Sequence, residues 1–239
     1  MSDGSLRIND DAQSAASACA EFVLATLRTA LQTKGQATFA ISGGSTPRLL
    51  FSRLAASGFD WSNVHIFWVD ERCVPPDSDQ SNYRLANETL IGPARINPSN
   101  VHRIQGELQP EDAAKGYIAD ITEFFGSGEL PTFDLIHRGM GPDAHTASLF
   151  PGEPLIDNRS DIAASVWVEK MKSHRVTLLP GVLLKAHQTV LQVAGADKAD
   201  ALFSVLRGPE DVKQYPCQLG TRGSDRSVWF LDKAAASKV

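Results

Sequence analysis

The sequence predicts a doubly wound α/β fold, a mostly parallel sheet with helices on both faces. Three observations predict it. Short apolar runs recur at Ala37–Ser42, Val64–Val69, Phe133–His137 and Thr189–Ala194, without the alternation of a sheet that has one wet face. Strands buried on both faces read this way. Helix-period segments lie between the runs, and regular alternation of the two element types marks βα units. Glycine-rich or charged clusters follow several runs, where the chain leaves the carboxyl ends of the strands. The expected architecture is Rossmann-like.

Each element has its own justification. From Asp10 to Lys34, Ala12, Ala15, Ala16, Cys19, Phe22, Val23, Leu27, Ala30 and Leu31 recur at three- and four-residue steps, an amphipathic helix that Gly35 ends. The run ATFAIS over 37–42 is a strand, broken by Gly43-Gly44-Ser45-Thr46. Pro47 opens the next helix, where its missing N–H is no loss. Val64–Val69 is a second strand, followed by Asp70-Glu71-Arg72. Helices are expected over Ser81–Leu90 and Glu111–Phe125, and a third strand over Phe133–His137. Gly139-Met140-Gly141-Pro142-Asp143 comes next, with a short helix expected across Asp143–Phe150. Later strands are expected at Ser165–Val168, Val176–Leu179, Thr189–Ala194 and Ser227–Leu231, and helices near Gly181–Ala186 and Asp197–Leu206. No internal repeat or low-complexity linker divides the chain. Residues 1–239 read as a single domain, and the Pro-rich Val74–Asp77 is a loop too short to be a boundary.

Composition narrows the function classes. The chain has 239 residues, 42% hydrophobic and 21% charged, which suits a globular protein with a full core. A net charge of −5 and the lack of a basic run argue against a general nucleic-acid binder. An anionic ligand would need positive charge gathered locally. Cys19, Cys73 and Cys217 are far apart and form no C-x-x-C pair, so a reducing compartment is expected, without a disulfide framework. The segment Met1–Asp11 is polar, with no apolar core of a secretory signal, and no apolar stretch is long enough to span a membrane. A cytoplasmic location is expected, as a monomer or a small homo-oligomer.

Three segments at strand ends carry chemistry, and in open α/β sheets ligands sit there. Gly43-Gly44-Ser45-Thr46 combines turning glycines, two hydroxyls and the start of a helix, which suits a phosphate. A plain strand-to-helix turn with a Ser or Thr cap is the bland reading, and no Gly-Lys-Ser/Thr follows to make a Walker loop. Asp70-Glu71-Arg72 can order an active site or form a surface ion pair. Gly139-Met140-Gly141-Pro142-Asp143-Ala144-His145 matches G-x-G-x-x-A formally. As a dinucleotide loop it fails, because Asp143 would stand where a pyrophosphate should sit and Pro142 removes an N–H. Instead it sets a carboxylate and an imidazole two residues apart beside backbone donors, suited to proton transfer next to an oxyanion. A helix-capping Asp143 and a structural His145 are the bland alternative. Asp143, His145 and Asp70 could also ligate a metal, but no H-x-x-x-H or similar spacing supports it, and no metal site is assigned. Arg175 precedes a strand and Lys198 stands at a helix start, where a bound anion would explain a cation.

Taken together and in order, these segments resemble the 6-phosphogluconolactonase family. The matching stretches are ISGGSTP (41–47), FWVDERCVPPDSDQSNYRLANETL (67–90), GMGPDAHTASLFPG (139–152), RVTLLPGVLLKA (175–186), GADKADAL (195–202) and WFLDKAA (229–235). The resemblance implies hydrolysis of 6-phospho-D-glucono-1,5-lactone to 6-phosphogluconate, a pentose phosphate pathway step that needs no redox or metal cofactor. His145 is the candidate for both proton transfers, with Asp143 or Asp70 orienting its ring. Arg72, with the backbone N–H groups of Gly139 and Gly141, is placed at the developing oxyanion. Gly43, Gly44, Ser45 and Thr46 are placed at the phosphate, with Arg175 and Lys198 neutralising it. Two departures stand out. Family members usually carry Asp-Gly-His where this chain has Asp143-Ala144-His145, and an apolar pair where it has His137-Arg138. The related amino-sugar-phosphate deaminases resemble G-x-D-G-H followed by Phe-Asn-Glu-Pro, and the Asn-Glu is missing here. A non-catalytic sugar-phosphate sensor would leave His145 without a role.

Overall fold

The computed structural model describes residues 6–239. Its first long element shows how locally the sequence specifies the fold. Helix α1 (Ala12–Lys34) starts at Asp11, whose carboxylate accepts from the Ser14 amide at 2.7 Å while the Ser14 hydroxyl accepts from the Asp11 amide at 3.1 Å. This reciprocal cap satisfies two donors that the helix itself cannot. Gly35, at φ 75°, ends it in the left-handed conformation that glycine adopts without strain. The stripe Ala15, Ala16, Cys19, Val23, Leu27 and Ala30 faces the core.

Seven parallel strands form the main sheet. They are β1 (Leu6–Asn9), β2 (Ala37–Ile41), β3 (Val64–Trp68), β5 (Val101–His102), β6 (Leu135–Arg138), β9 (Gln188–Val193) and β10 (Ser227–Asp232). Their order across the sheet is β1-β10-β9-β6-β2-β3-β5. Every residue of β2 is buried, as expected of a central strand covered on both sides. Alternate residues of β9 and β10 enter two different clusters. Val190, Val228 and Phe230 pack with α1 and with α2 (Pro47–Ala55), whereas Leu191, Trp229 and Leu231 pack with α6 (Ala199–Arg207) and Cys217. Period-two alternation between clusters is the mark of helices on both faces.

A smaller antiparallel sheet sits at the edge of the cleft described below. Its strands are β4 (Asp70–Arg72), β8 (Ser173–Leu178) and β7 (Ala163–Val168), in that order, and α4 (Pro110–Phe125) packs against β7 and β8. Val69 joins the sheets: its amide donates to Ile41 at 2.8 Å, and its carbonyl accepts from Leu178 at 2.8 Å. The sequence predicts strands near Ser165–Val168 and Val176–Leu179 but places no second sheet, and it reads neither β1 nor β4 as a strand.

One expected element is absent. Asp143–Phe150 is not a helix but a tight loop closed by a Thr146–Leu149 bridge. Ala144 at φ 64° and Ala147 at φ 53° are left-handed, which no right-handed helix accommodates. The expected Ser81–Leu90 helix is α3 (Asn82–Ala86) continued by a π-turn over Asn87–Ile91. Short α5 (Pro180–Lys185) follows β8.

Candidate active site

Chain order creates the site. From β2 the chain adds β3 on one side, and β6 later takes the other side. The crevice between β2 and β6 is therefore a topological switch point, at the carboxyl ends of the strands. Loops after β9, β6, β2 and β3 line up there in that order. They enclose a cleft of about 230 Å³ whose walls include Gly43, Gly44, Ser45, Thr46, Asp70, Arg72, Gly139, Gly141, His145, Arg175 and Lys198. Of the residues given a role at the site from the sequence, only Asp143 lies outside this wall. It faces a neighbouring cavity of about 650 Å³ from behind His145.

His145 and Asp143 form a close pair, with Nδ1 and Oδ1 2.5 Å apart. The other carboxylate oxygen of Asp143 accepts from Lys170 Nζ at 2.9 Å. Burial pushes the Asp143 carboxyl up, but the hydrogen bond and charge of His145, with Lys170, outweigh it. They hold the group well below the usual carboxylate range. An ionised Asp143 only accepts, so the proton between the pair belongs to Nδ1, and Nε2 of the neutral ring is left as an acceptor. The ring stacks on Phe150, with centroids 4.1 Å apart and planes at 22°. Beneath it, a Cβ on Gly141 would stand 2.1 Å from the imidazole, so only glycine fits.

Two sequence expectations are corrected here. The Gly141 amide donates to the His145 carbonyl at 3.0 Å, which removes it from the free donors expected at an oxyanion. Gly139 keeps its place on the cleft wall, its carbonyl accepting from Thr146 Oγ1 at 3.0 Å. Asp70 makes no hydrogen bond to the imidazole. Its Oδ2 accepts from Ser148 Oγ at 2.7 Å and lies 3.9 Å from Arg175 Nη1. Asp143, not Asp70, is thus the carboxylate paired with His145.

Positive charge gathers in the same cleft. Arg72 and Arg175 are cross-strand partners in the β4–β8 ladder, and both line the cleft. The Nε atoms of both are buried without a hydrogen-bond partner. Burial lowers the Arg175 pKa; Asp70 opposes that, while neighbouring Arg72 adds to it. An anion between the two guanidiniums would relieve both effects. Arg175 also lies over the Phe150 ring, 5.6 Å from its centroid. Lys198 enters from the loop after β9, paired among the described residues with its exposed neighbour Asp197 at 2.5 Å.

The glycine-rich loop completes the wall. A Cβ on Gly43 would stand 1.9 Å from Asn82 Oδ1, and Gly44 has φ 109°. The first glycine is required by close approach and the second by conformation. Thr46 caps α2 without spending its hydroxyl on a capping hydrogen bond, and Pro47 follows. Ser45, Thr46 and Pro47 line the cleft at the start of α2, an arrangement suited to phosphate.

Several contributors were given no role of their own in the sequence. Glu71 is not a cleft group: its carboxylate accepts from the amides of Arg72, Asn82 and Tyr83 and from Ser81 Oγ, at 2.7–3.0 Å, fixing the start of α3. Asn82 and Gln192 line the cleft with buried polar atoms unpaired. Lys170 reaches Asp143 from the turn between β7 and β8, and no sequence signal links the two. Among the described residues, no three His, Cys, Asp or Glu side chains converge as a metal site requires.

Comparison with known proteins agrees with this geometry. Residues 10–229 match the family described as glucosamine-6-phosphate isomerases/6-phosphogluconolactonase. The chain is 35% identical over 213 residues to the 6-phosphogluconolactonase of Synechocystis, covering 88% of each chain. To the 6-phosphogluconolactonase of Mycobacterium leprae it is 32% identical over 244 residues, covering 98% of each. The crystal structure of 6-phosphogluconolactonase from Thermotoga maritima superposes with a TM-score of 0.83 at 29% identity, covering 95% of this chain and 99% of that one. This chain therefore belongs to the glucosamine-6-phosphate isomerase/6-phosphogluconolactonase family.

Proposed function

We propose that this protein, acting as one α/β domain, hydrolyses 6-phospho-D-glucono-1,5-lactone to 6-phospho-D-gluconate. The observation that carries the reading is the His145–Asp143 pair, 2.5 Å apart, with His145 on a cleft that Arg72 and Arg175 also line. A proton acceptor and an anion site on one cleft suit a phosphorylated ester. Relatives named 6-phosphogluconolactonase add support from sequence.

In this mechanism Asp143 keeps the proton on Nδ1, and Nε2 of His145 takes a proton from water. The water oxygen adds to the lactone carbonyl carbon. The resulting oxyanion is stabilised by Arg72 and the backbone near Gly139. As the tetrahedral intermediate collapses, the bond from that carbon to the ring oxygen breaks, and imidazolium Nε2 returns the proton to the leaving oxygen. The product acid then ionises. Gly43, Gly44, Ser45 and Thr46 hold the phosphate with Arg175 and Lys198. A deaminase would need a further carboxylate just after His145, and Thr146–Pro151 supply none.

The mechanism is tested by His145→Gln. This variant keeps most of the side-chain volume but cannot relay a proton at neutral pH. Enzymatic turnover of fresh lactone, after subtraction of spontaneous hydrolysis, is expected to fall about 10²–10⁴-fold with folding intact. Near-normal turnover in a folded variant would remove His145 from the chemistry.

A further inference from the structure

Beneath the cleft, two buried polar side chains of the main sheet stand with their polar atoms unpaired. His137 lies in β6 and Gln192 in the adjacent β9. The register pairs His137 with Val190, so Gln192 is its diagonal neighbour on the same face. Their residues are 0% and 2% exposed. Neither ring nitrogen of His137 and neither amide atom of Gln192 has a hydrogen-bond partner. Buried polar groups are ordinarily paired, and leaving one unpaired costs free energy.

Donor and acceptor counting shows where the pairing can go. A neutral imidazole has one donor and one acceptor, and a carboxamide has both types. A small rotation that pairs one amide atom with one ring nitrogen leaves the other amide atom directed away from His137. Gln192 is also a wall residue of the cleft, two positions before Ala194 and six before Lys198. On that side, a bound ligand can supply the partner.

We infer that Gln192 is a specificity-determining contact. Its carboxamide hydrogen-bonds a hydroxyl of the sugar lactone, and His137 behind it acts as a positioning residue. The inference rests on the proposed lactonase function and adds a contact to the same site. A hydroxyl fits better than the phosphate because a neutral amide offers both donor and acceptor, as a hydroxyl does. Arg72, Arg175 and Lys198 already answer the anion. A site built to hydrogen-bond a substrate hydroxyl discriminates strongly against an analogue that lacks it.

Binding of two inhibitors of lactone hydrolysis tests this contact: 6-phosphogluconate, and n-hexyl phosphate, which keeps the phosphate but has no hydroxyls. In Gln192→Leu, the inhibition constant of 6-phosphogluconate is expected to rise about tenfold, the scale of one lost hydrogen bond. That of n-hexyl phosphate should change by less than about twofold, and Tm should stay the same or rise. The double variant His137→Leu/Gln192→Leu, which leaves no unpaired polar atom at either position, should show the same loss of preference. His137→Leu alone should lose part of it, and His137→Gln should restore it. An unchanged ratio of the two constants, or an equal rise in both, overturns the assignment. Wild-type protein that turns over no lactone and binds no 6-phosphogluconate would instead overturn the functional reading on which it rests.

Discussion

His137 places a titratable ring at 0% exposure, and burial holds its pKa down at about 4 from 6.5. The linkage has a definite sign. Between pH 6.5 and 4 the unfolded chain binds a proton that the folded protein refuses, so stability falls as pH drops through that window. Above 6.5 the penalty vanishes. Its full size is about 3 kcal/mol for this shift. Glu71, whose carboxyl burial pushes up, acts in the opposite sense, while Asp143, held low, loses its contribution only at more acid pH. The comparison must therefore be variant against wild type. Urea unfolding at pH 7.5 and 4.5 should show a smaller acid loss in His137→Leu, and an unchanged loss would contradict the assignment. At this scale the sequence was informative where chemistry clusters along the chain. Asp143 and His145 are two residues apart and legible. Asn82, Gln192 and Lys170 come from distant segments, and only strand pairing or a remote turn brings them to the site.

The loop after β6 shows what patterning along the chain cannot carry. Asp143–Phe150 has a capping residue and apolar spacing that suit a short helix, yet Ala144 and Ala147 are both left-handed. Contacts made across the loop override local preference here: the Gly141 amide donates to His145, and the Cys217 amide to Ala144, at 3.0 and 2.9 Å. The glycine-rich segments were legible as sites, but the reason for two glycines was not. Gly43 and Gly141 are required by side chains that press against them, Asn82 and His145, more than by turning or donating. Gly43→Ala should therefore overpack this junction, at a cost of about 1–3 kcal/mol in stability. It should also raise KM for the phosphorylated lactone more than for unphosphorylated gluconolactone, since α2 and its amides would be displaced. Equal KM values for both variant and wild type would mean that Asn82 yields without moving the loop. The three-stranded sheet was half legible. Most of Ala163–Val168 and the second half of Ser173–Leu178 read as strands, but their partner Asp70–Arg72 is short and charged, with no strand pattern of its own.

Across the whole molecule, a chain with net charge −5 concentrates Arg72, Arg175 and Lys198 on one cleft. The long-range order of the sheet makes this possible. A parallel sheet that grows outward in both directions from β2 and β6 collects four loops at one crevice, and the small antiparallel sheet adds Arg72 and Arg175 from its own ladder. The alternation of elements predicted the parallel sheet and its two helical faces, and so the end at which the site lies. It could not predict the second sheet, because pairing across the cleft leaves no periodic trace. No helix among the described residues is long and apolar enough to cross a membrane. The central claim is that this architecture serves hydrolysis of a phosphorylated lactone. It is tested most directly by adding purified protein to freshly prepared 6-phosphogluconolactone in a pH-stat, with spontaneous hydrolysis subtracted, and running glucosamine 6-phosphate in parallel with ammonia release as the readout. The account predicts rapid acid release from the lactone and no ammonia from the amino sugar. Ammonia release, or a lactone rate no faster than the spontaneous one, would contradict it.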